Sequence, residues 1–346
     1  MSRSFVELLR PSQFRVLVRQ SLQLVILTNI DQHLLYTAAD KNYVLQAKVL
    51  LSSLVRTQPE PTHLLVFGSG WDERMRADLQ KCASDSVTVE VRDVDPVRHS
   101  DIRLTNGFPL ATAYNILAPN SELPAGVRAL YLDADVVVRK DLTELFRADM
   151  KSPVGAVLDA HVSLMGIPSM WRPWREEVID PNTPYLNTGA LLVDVDAWRE
   201  ADLTSRVVSM LSKYDLPCVD QDALNIVLRG DFDRLRPAFN SMPYHLMKLL
   251  RNADLVESHD DLNEAILDPT VVHFHRSFLG KPWTRWATHP ARHLWTDLAD
   301  VASPKWNRTI DAMGTARGIA ARIAKMSVLD DRASQMKALS LVEVKK

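Results

Sequence analysis

Hydrophobic positions in the first third of the chain change period repeatedly, from short apolar runs to helical spacing and back. Apolar runs at 34–39, 63–67 and 87–91 are bounded by polar, Gly or Pro residues, which is typical of buried strands. The segments 44–55 and 72–84 between them are predicted to be helices, the first from its apolar residues at helical spacing. This alternation predicts an α/β fold with a mostly parallel sheet and helices on its faces.

The same pattern continues through the rest of the chain, where 127–132 is a strongly apolar strand. Further strands are predicted at 154–158, 190–195 and 270–274, and helices at 108–117, 203–214, 221–228 and 310–326. The helix at 310–326 is amphipathic and lies beyond the main pattern. The length of 346 residues fits one large α/β domain with appendages or two modest domains.

Composition limits how a phosphate group could be held. Gly is scarce, at 11 residues, and neither G-x-G-x-x-G nor a Walker-type loop occurs, so a metal ion or side chains would have to bind phosphate. Two cysteines are too few for a disulfide framework, which favours a reducing compartment. Residues 1–20 lack a signal-peptide pattern and no apolar stretch is long enough to span a bilayer, so we expect a cytoplasmic protein.

Charge is unevenly distributed along the chain, whose formal net charge is −2. Residues 1–30 contain four Arg against one Glu, and residues 304–346 contain nine Lys or Arg against four Asp or Glu. Basic ends on an acidic body could contact anionic lipid at the inner membrane face, although solvated helix faces would have the same composition. The body lacks a basic patch interleaved with aromatic residues, so we expect no nucleic-acid partner.

An acidic pair, Asp133 and Asp135, follows the apolar strand at 127–132 directly. Two carboxylates around one small residue can hold a divalent cation, and hard oxygen ligands suit Mn²⁺ or Mg²⁺. A pair of turn or capping aspartates is the alternative. The apolar runs on both sides favour the metal, because burying two carboxylates without a partner is costly.

Two histidines follow the apolar pair Val271 and Val272. His273 and His275 would share one face if the strand continues, and the neutral imidazole of one of them could complete a metal shell. Lys281, a few residues later, could neutralise a diphosphate. For either histidine alone, an ordinary core or surface position is the alternative.

Three further polar clusters lie near predicted element ends. Asp220 and Gln221 lie at a helix start, where Asp220 could act in the chemistry or only as an N-cap. Asn187 lies in a loop predicted to enter a strand, and could bind a sugar hydroxyl or serve as a turn residue. The segment 40–43, Asp-Lys-Asn-Tyr, could stack on and read a base, or be a plain surface loop.

Together these segments resemble glycosyltransferase family 8, which includes bacterial lipooligosaccharide galactosyltransferases and glycogenin. The most specific match is Leu-Tyr-Leu-Asp-Ala-Asp-Val-Val-Val at 130–138. Tyr-Leu-Asn-Thr-Gly-Ala-Leu-Leu-Val at 185–193 with Trp198, and Asp-Gln-Asp-Ala-Leu-Asn at 220–225, follow in order. The resemblance runs from about Leu34 to Trp283.

The resemblance implies a GT-A fold, a UDP-sugar donor, Mn²⁺ (or Mg²⁺) and retention of anomeric configuration, with a glycan or lipid-linked saccharide as acceptor. It places the GT-A domain at 34–300, a basic N-terminal extension at 1–33 and a helical basic tail at 301–346. The metal would be held by Asp133, Asp135 and His273, with His275 as the alternative. The donor would contact Ala38, Asp40, Asn42, Tyr43, Asp133, Ala134, Asp159, Asn187, Thr188, Gly280 and Lys281, and Gln221 and Asp220 would be catalytic.

Two departures from the family pattern matter. In H-x-x-G-x-x-K-P-W the spacing to Lys281 fits His275, whereas the Val-Val-His-Phe context fits His273, which we favour. The family often has Arg two positions after a helical Tyr, but here Ile116 follows Tyr114, so the resemblance does not identify the donor sugar.

Retention leaves two routes open. The acceptor could attack within an ion pair on the leaving-group face, which we favour, or Asp220 could form a covalent intermediate. The acceptor pocket is expected in the variable segment 161–183, with Trp171 and Trp174 as sugar-stacking or packing residues. A non-catalytic sugar-nucleotide-binding protein and a self-glycosylating, glycogenin-like protein are the alternative functions.

Overall fold

The computed structural model describes residues 32–94, 102, 110–162, 164–165, 176–251, 256–275, 277, 279–285, 287–304 and 306. Several predictions fall on other parts of the chain. The extension at 1–33 except its last two residues, the helix at 310–326, most of the basic tail, and Trp171 and Trp174 lie outside the described residues.

The described residues form nine strands and ten α-helices. The strands are β1 (His33–Ala38), β2 (Thr62–Gly68), β3 (Val87–Asp93), β4 (Arg128–Leu132), β5 (Val136–Val138), β6 (Val154–Leu158), β7 (Leu186–Asp194), β8 (Asp233–Arg234) and β9 (Val271–His273). The helices are α1 (Val44–Thr57), α2 (Glu73–Gln80), α3 (Tyr114–Ser121), α4 (Thr143–Phe146), α5 (Val195–Glu200), α6 (Leu203–Lys213), α7 (Val219–Leu228), α8 (Pro243–Arg251), α9 (His259–Leu267) and α10 (Arg292–Ala302). Short 3-10 helices lie at Lys41–Tyr43, Leu110–Ala113 and Pro237–Asn240.

Seven strands form one sheet in the order β3-β2-β1-β4-β7-β6-β8. The pairs β1–β2, β2–β3, β1–β4 and β6–β8 are parallel, which confirms the predicted mostly parallel α/β sheet. Strand β7 runs antiparallel to both of its neighbours, β4 and β6. A separate two-stranded sheet pairs β5 with β9 antiparallel.

The sheet has an apolar core on each face. Leu34 and Tyr36 point into one core and Leu35 into the other, as expected from the alternation of side chains along a strand. A smaller cluster, which includes Val49 and Trp295, joins α1 to β9 and α10. Burial on both faces explains why the central strands are near-continuous apolar runs.

Strand β7 begins four residues earlier than the pattern predicts. The segment 185–189 is predicted as a loop, but Asn187 and Thr188 lie inside β7 and are buried. Asn225 on α7 makes this possible, because its Oδ1 accepts from the Leu186 N–H at 2.7 Å and its Nδ2 donates to the Leu186 carbonyl at 2.9 Å. The side-chain amide thus satisfies a strand peptide beside a register irregularity in β6.

The predicted helix at 108–117 is displaced toward the C-terminus. A 3-10 helix at Leu110–Ala113 precedes α3, which contains Pro119. Because Pro119 has no N–H, the carbonyl of Asn115 lacks its helical partner, and the buried Tyr36 hydroxyl donates to that carbonyl instead at 3.0 Å. This bond ties α3 to the central strand β1.

Replacing Asn225 by Leu should lower the free energy of unfolding by about 2–4 kcal/mol, because the Leu186 N–H and C=O would be left buried without partners. Urea denaturation followed by circular dichroism measures the loss. The matched control is Asn182→Leu at an exposed position, which should change stability by less than about 0.5 kcal/mol. Equal denaturation midpoints for the two variants would contradict the role given to Asn225.

Candidate active site

Four strand ends meet at one edge of the large sheet. Strands β1, β4 and β6 present their carboxyl ends there, and the reversed strand β7 presents its amino end. The Asp133 N–H donates to the Gly189 carbonyl at 2.9 Å, so the residues that follow β4 lie against the start of β7. Polar residues at these ends are therefore brought together by topology, as is usual for ligand sites in such sheets.

The acidic pair faces a histidine from a distant part of the chain. His273 Nε2 lies 3.4 Å from Asp133 Oδ2 and 3.3 Å from Asp135 Oδ1. Ligand atoms of the three residues all lie within 4.8 Å of one another. His273 reaches this position because β9 pairs with β5, which places His273 opposite Val136. Two carboxylates and one imidazole form a donor set that fits a divalent ion such as Mn²⁺.

The two carboxylates of the acidic pair differ in pKa, because neighbouring positive charge lies mainly at Asp135. Desolvation and the neighbouring Asp135 carboxylate raise the pKa of Asp133. Burial also opposes ionisation of Asp135, but the Lys281 ammonium and His273 hold the pKa of Asp135 well below its usual value. Lys281 Nζ makes an ion pair with Asp135 Oδ2. A divalent cation would relieve the remaining repulsion between the two carboxylates.

Gly189 lets the histidine approach the strand. A Cβ at this position would lie 2.2 Å from His273 Cε1 and 2.6 Å from His273 Nδ1, which no side chain can occupy. In the sequence Gly189 stands out only as part of a motif, and this packing role is not evident. A Gly inside a strand next to a polar motif is the signal that could have indicated it.

A second group of residues lies beside Asp133, Asp135 and His273. It consists of Asp159, Asn187, Thr188 and Gln221 and is called the amide cluster below. Asn187 Nδ2 donates to Asp159 Oδ2 at 2.8 Å and to Gln221 Oε1 at 3.0 Å. Gln221 Nε2 donates to Asp159 Oδ2 at 3.2 Å, and the Thr188 N–H donates to Gln221 Oε1 at 3.2 Å. Four residues predicted from separate segments, at 159, 187–188 and 221, therefore share one network.

Asp159 is ionised within this network. Burial opposes its ionisation, but His275 and hydrogen bonds from Asn187 and from the backbone N–H groups of His161 and Val162 keep the pKa of Asp159 below its usual value. A fixed carboxylate surrounded by amide donors is suited to accept hydrogen bonds from hydroxyl groups.

Asp220 does not cap its helix. Helix α7 begins after Cys218, which has no capping side chain, so the N-cap interpretation of Asp220 is wrong. Asp220 Oδ2 instead accepts from Asn115 Nδ2 at 2.6 Å. Burial raises the pKa of Asp220 to about 7, and this rise is opposed by the Asn115 hydrogen bond. Sequence reasoning missed Asn115, because a lone helical Asn carries no pattern.

Asp222, two residues further on, makes hydrogen bonds that hold the helix in place. Asp222 accepts from the Tyr185 hydroxyl at 2.5 Å and from the Cys218 N–H at 2.7 Å. Burial raises the pKa of Asp222 to about 6. These contacts attach the first turn of α7 to the residue before β7, which positions Gln221 between them.

A third group of residues, which includes Tyr43, lies near the acidic pair. Asp40 accepts from the Asn42 N–H at 2.8 Å, which caps the 3-10 helix containing Tyr43. Tyr43 is 40% exposed and its ring lies edge-on to Trp283, with centroids 6.1 Å apart. Lys281 Nζ lies 5.7 Å from the centroid of the Trp283 ring. Trp283 therefore contacts both the exposed ring of Tyr43 and the ammonium of Lys281.

Three predicted donor contacts are backbone or small-residue positions. Ala38 ends β1, and Ala134 lies buried between the two aspartates. Gly280 has φ of +73°, a left-handed conformation that favours Gly, immediately before Lys281. All three lie on the segments that also carry Tyr43, the acidic pair and Lys281.

The two histidines, His273 and His275, lie close together but have different surroundings. The rings of His273 and His275 lie 5.5 Å apart at nearly a right angle, but only His273 belongs to the group of ligand atoms with the acidic pair. Burial lowers the pKa of His275 to about 4, with a further contribution from His273. Its Nδ1 is buried without a hydrogen-bond partner among the described residues.

Within the described part of the chain, every helix is too short or too polar to cross a lipid bilayer.

Residues 34–287 match the model of Glycosyl transferase family 8. General stress protein A of Bacillus subtilis is 26% identical over 282 residues, which cover 78% of this chain and 93% of that protein. A lipopolysaccharide 1,3-galactosyltransferase of Salmonella typhimurium is 23% identical over 265 residues, which cover 72% of this chain and 73% of that protein.

Solved structures show the same architecture. The galactosyltransferase LgtC in complex with donor and acceptor sugar analogs superposes with a TM-score of 0.66 at 24% identity, covering 82% of this chain and 99% of that chain. This likeness confirms the GT-A fold. The family match spans most of the chain and includes both the acidic pair and the amide cluster. The chain therefore belongs to glycosyltransferase family 8 and is a glycosyltransferase related to those of lipopolysaccharide synthesis.

Proposed function

We propose that this protein is a retaining hexosyltransferase that moves a sugar from a UDP-sugar to a saccharide or lipid-linked saccharide with the help of Mn²⁺ or Mg²⁺. The observation that carries the proposal is the group formed by Asp133, Asp135 and His273, with Lys281 beside it. The exposed ring of Tyr43 and the amide cluster both lie near this group. Their proximity supports binding of a nucleotide and a sugar next to the metal.

The metal and Lys281 would share one task. A bound divalent ion would offset the negative charge that develops on a departing diphosphate. Lys281 pairs with Asp135 in this structure, and its ammonium would be released to a phosphate oxygen once a divalent ion neutralised Asp135. Tyr43 would stack on the base, while Asp40 and Asn42 would bind uridine.

Asp159, Asn187 and Gln221 would hold the donor sugar. Together they offer carboxylate and carbonyl oxygens that accept from sugar hydroxyls, and amide groups that donate to them. Their mutual hydrogen bonds fix each side chain before the sugar arrives. Such preorganisation lowers the entropy cost of orienting the reacting carbon.

The environment of Asp220 supports the ion-pair route to retention. A carboxylate nucleophile must be ionised, but burial raises the pKa of Asp220 to about 7. Asp220 would then be partly protonated near neutral pH, which suits a hydrogen-bonding group better than a nucleophile. We therefore favour attack of the acceptor on the leaving-group face, with Asp220 and Gln221 stabilising the sugar.

The relatives bear on the acceptor and the setting. One of them is named a lipopolysaccharide 1,3-galactosyltransferase, which supports a saccharide or lipid-linked acceptor in a bacterial envelope pathway. The basic segments at 1–30 and 304–346 would then bring a cytoplasmic enzyme to anionic lipid at the inner membrane face.

Replacing Asp135 by Ala should weaken Mn²⁺ binding and slow sugar transfer, each by roughly 100-fold or more, because the ion would lose a buried ligand. Isothermal titration with Mn²⁺ and UDP release from a panel of UDP-sugars measure the two effects. Asp85→Ala removes an exposed carboxylate and serves as the control. Normal transfer by the Asp135 variant would refute the metal assignment.

Replacing Tyr43 by Ala should weaken binding of UDP by about 1–3 kcal/mol, since a base would lose its stacking surface. Tyr43→Phe keeps the ring and should bind UDP nearly as the wild type does. The dissociation constants come from titration in the presence of Mn²⁺. If both variants bind UDP with wild-type affinity, Tyr43 does not contact the base.

Replacing Asp220 by Asn should stabilise the protein relative to the wild type, and this gain should increase as the pH rises. The same replacement should slow sugar transfer. The folded pKa of Asp220, about 7, is above its unfolded value, so its contribution to stability is fully present below about pH 4 and is lost as the pH rises through 7. The asparagine variant does not titrate there. Its advantage in unfolding free energy over wild type should therefore increase by on the order of 2–3 kcal/mol between pH 5 and pH 8.

Urea denaturation of both proteins in EDTA measures this difference. Asp222, which has a raised pKa in the wild type, is unchanged in the variant and should cancel from the comparison. A stability difference that does not change with pH would show that Asp220 is ionised throughout this range.

A further inference from the structure

A buried chain of hydrogen bonds has its direction fixed by one backbone group. The Gly189 N–H donates to Asn187 Oδ1 at 3.0 Å, and a backbone N–H can only donate. The atom of Asn187 that faces Gly189 is therefore the oxygen. The same oxygen lies 2.8 Å from Asn240 Nδ2, which must also donate to it.

The direction passes through Asn240 to the histidine. Because Asn240 uses its amide nitrogen toward Asn187, its Oδ1 faces His273 Nδ1 at 2.9 Å. An oxygen can only accept, so His273 must carry a proton on Nδ1. Asn187, Asn240 and His273 are at most 1% exposed, so water cannot substitute for any member of the chain.

This arrangement leaves the other ring nitrogen for the acidic pair. With the proton on Nδ1, the neutral ring presents the lone pair of Nε2 to Asp133 and Asp135 at 3.4 and 3.3 Å. Three electron-pair donors then face one point, which is what a cation requires. In water the neutral ring favours the opposite tautomer, so the protein must impose this one.

We infer that Asn240 is a positioning residue that holds His273 in the metal-binding tautomer and joins it to the sugar-binding amide of Asn187. The inference rests on the proposed function, because it concerns the same metal and sugar groups. Asn187 passes the connection on through Nδ2, which donates to Asp159 and Gln221. Metal ligand and sugar contacts are thus set by one network.

The backbone around Asn240 supports this role. Asn240 ends the 3-10 helix Pro237–Asn240, and the segment that follows is bonded to β9 in both directions. The Ser241 N–H donates to the Val271 carbonyl, and the His273 N–H donates to the Ser241 carbonyl, each at 2.8 Å. Asn240 and His273 are therefore fixed to each other through main chain as well as side chains.

Two substitutions separate the two functions of the amide. In Asn240→Asp the carboxylate still accepts from His273 Nδ1 but cannot donate to Asn187. In Asn240→Leu both bonds are lost at similar volume. Gln58→Leu is the control, because Gln58 is also a buried amide that bonds two backbone groups, but near Lys140 and Leu142 and not at the site.

The first measurement is ¹⁵N NMR of histidine-labelled, metal-free protein at a pH where the rings are neutral, with the signal assigned through His273→Gln. The wild type, Gln58→Leu and Asn240→Asp should show His273 protonated at Nδ1, whereas Asn240→Leu should shift toward protonation at Nε2. A wild-type ring protonated at Nε2 would overturn the inference, whether or not the enzyme binds Mn²⁺.

The second measurement is binding of Mn²⁺ and of UDP-sugar by titration. Asn240→Leu should weaken Mn²⁺ binding by about 10–100-fold, and Asn240→Asp by much less. Asn240→Asp should instead weaken the UDP-sugar by about tenfold while leaving UDP unchanged, since only the sugar contacts Asn187. If Asn240→Leu does not fold, Asn240→Ser removes the same two bonds with less apolar bulk.

The outcomes distinguish the two levels of the proposal. A wild type that binds no Mn²⁺ contradicts the proposed function, while the NMR result still decides the tautomer. A wild type that binds Mn²⁺ alongside an Asn240→Leu variant of equal affinity overturns the role of Asn240 alone. Equal weakening by Gln58→Leu would also overturn it, because the effect would then be a general loss of stability.

Discussion

The repulsion between the Asp133 and Asp135 carboxylates is the constraint on which the rest of this site depends. The pair lies at the end of a buried strand, where two like charges are costly unless cations or donors face them. Lys281, from the segment after β9, supplies a cation to Asp135, and the close packing of His273 on Gly189 keeps the imidazole next to the pair. The site therefore contains negative charge that is only partly balanced, and a divalent ion would neutralise the remainder.

Much of this fold follows from the hydrophobic pattern, but the direction of β7 does not. An apolar run with both faces buried has the same composition whichever way it runs, so 190–195 predicts a strand without its orientation. Orientation decides function here, because only a reversed β7 brings Asn187 to the edge where Asp133 lies. The buried Asn225 amide that extends β7 to Leu186 is equally invisible locally, since its partner is 39 residues away.

The choice between His273 and His275 shows a similar limit. Motif spacing favoured one and local context the other, and the spacing of residues cannot resolve this. Pairing of β9 with β5 brings His273 next to the acidic pair, since the register sets His273 opposite Val136. Asn240 gave no signal because a lone asparagine before Ser-Met-Pro resembles any turn. Its role becomes visible only in the folded structure, where the hydrogen bonds among Gly189, Asn187, Asn240 and His273 fix which atom of each donates.

The position of Ile116 connects these observations to sugar recognition. The family pattern often places an Arg there, but Ile116 is fully buried in the apolar core beside β1. Its neighbour Asn115 reaches Asp220 instead, at 2.6 Å, with a neutral amide. A guanidinium at that distance would hold Asp220 ionised, whereas the amide leaves burial to raise its pKa to about 7. Asp220 is therefore a protonatable acid whose state is set by burial and one neutral amide.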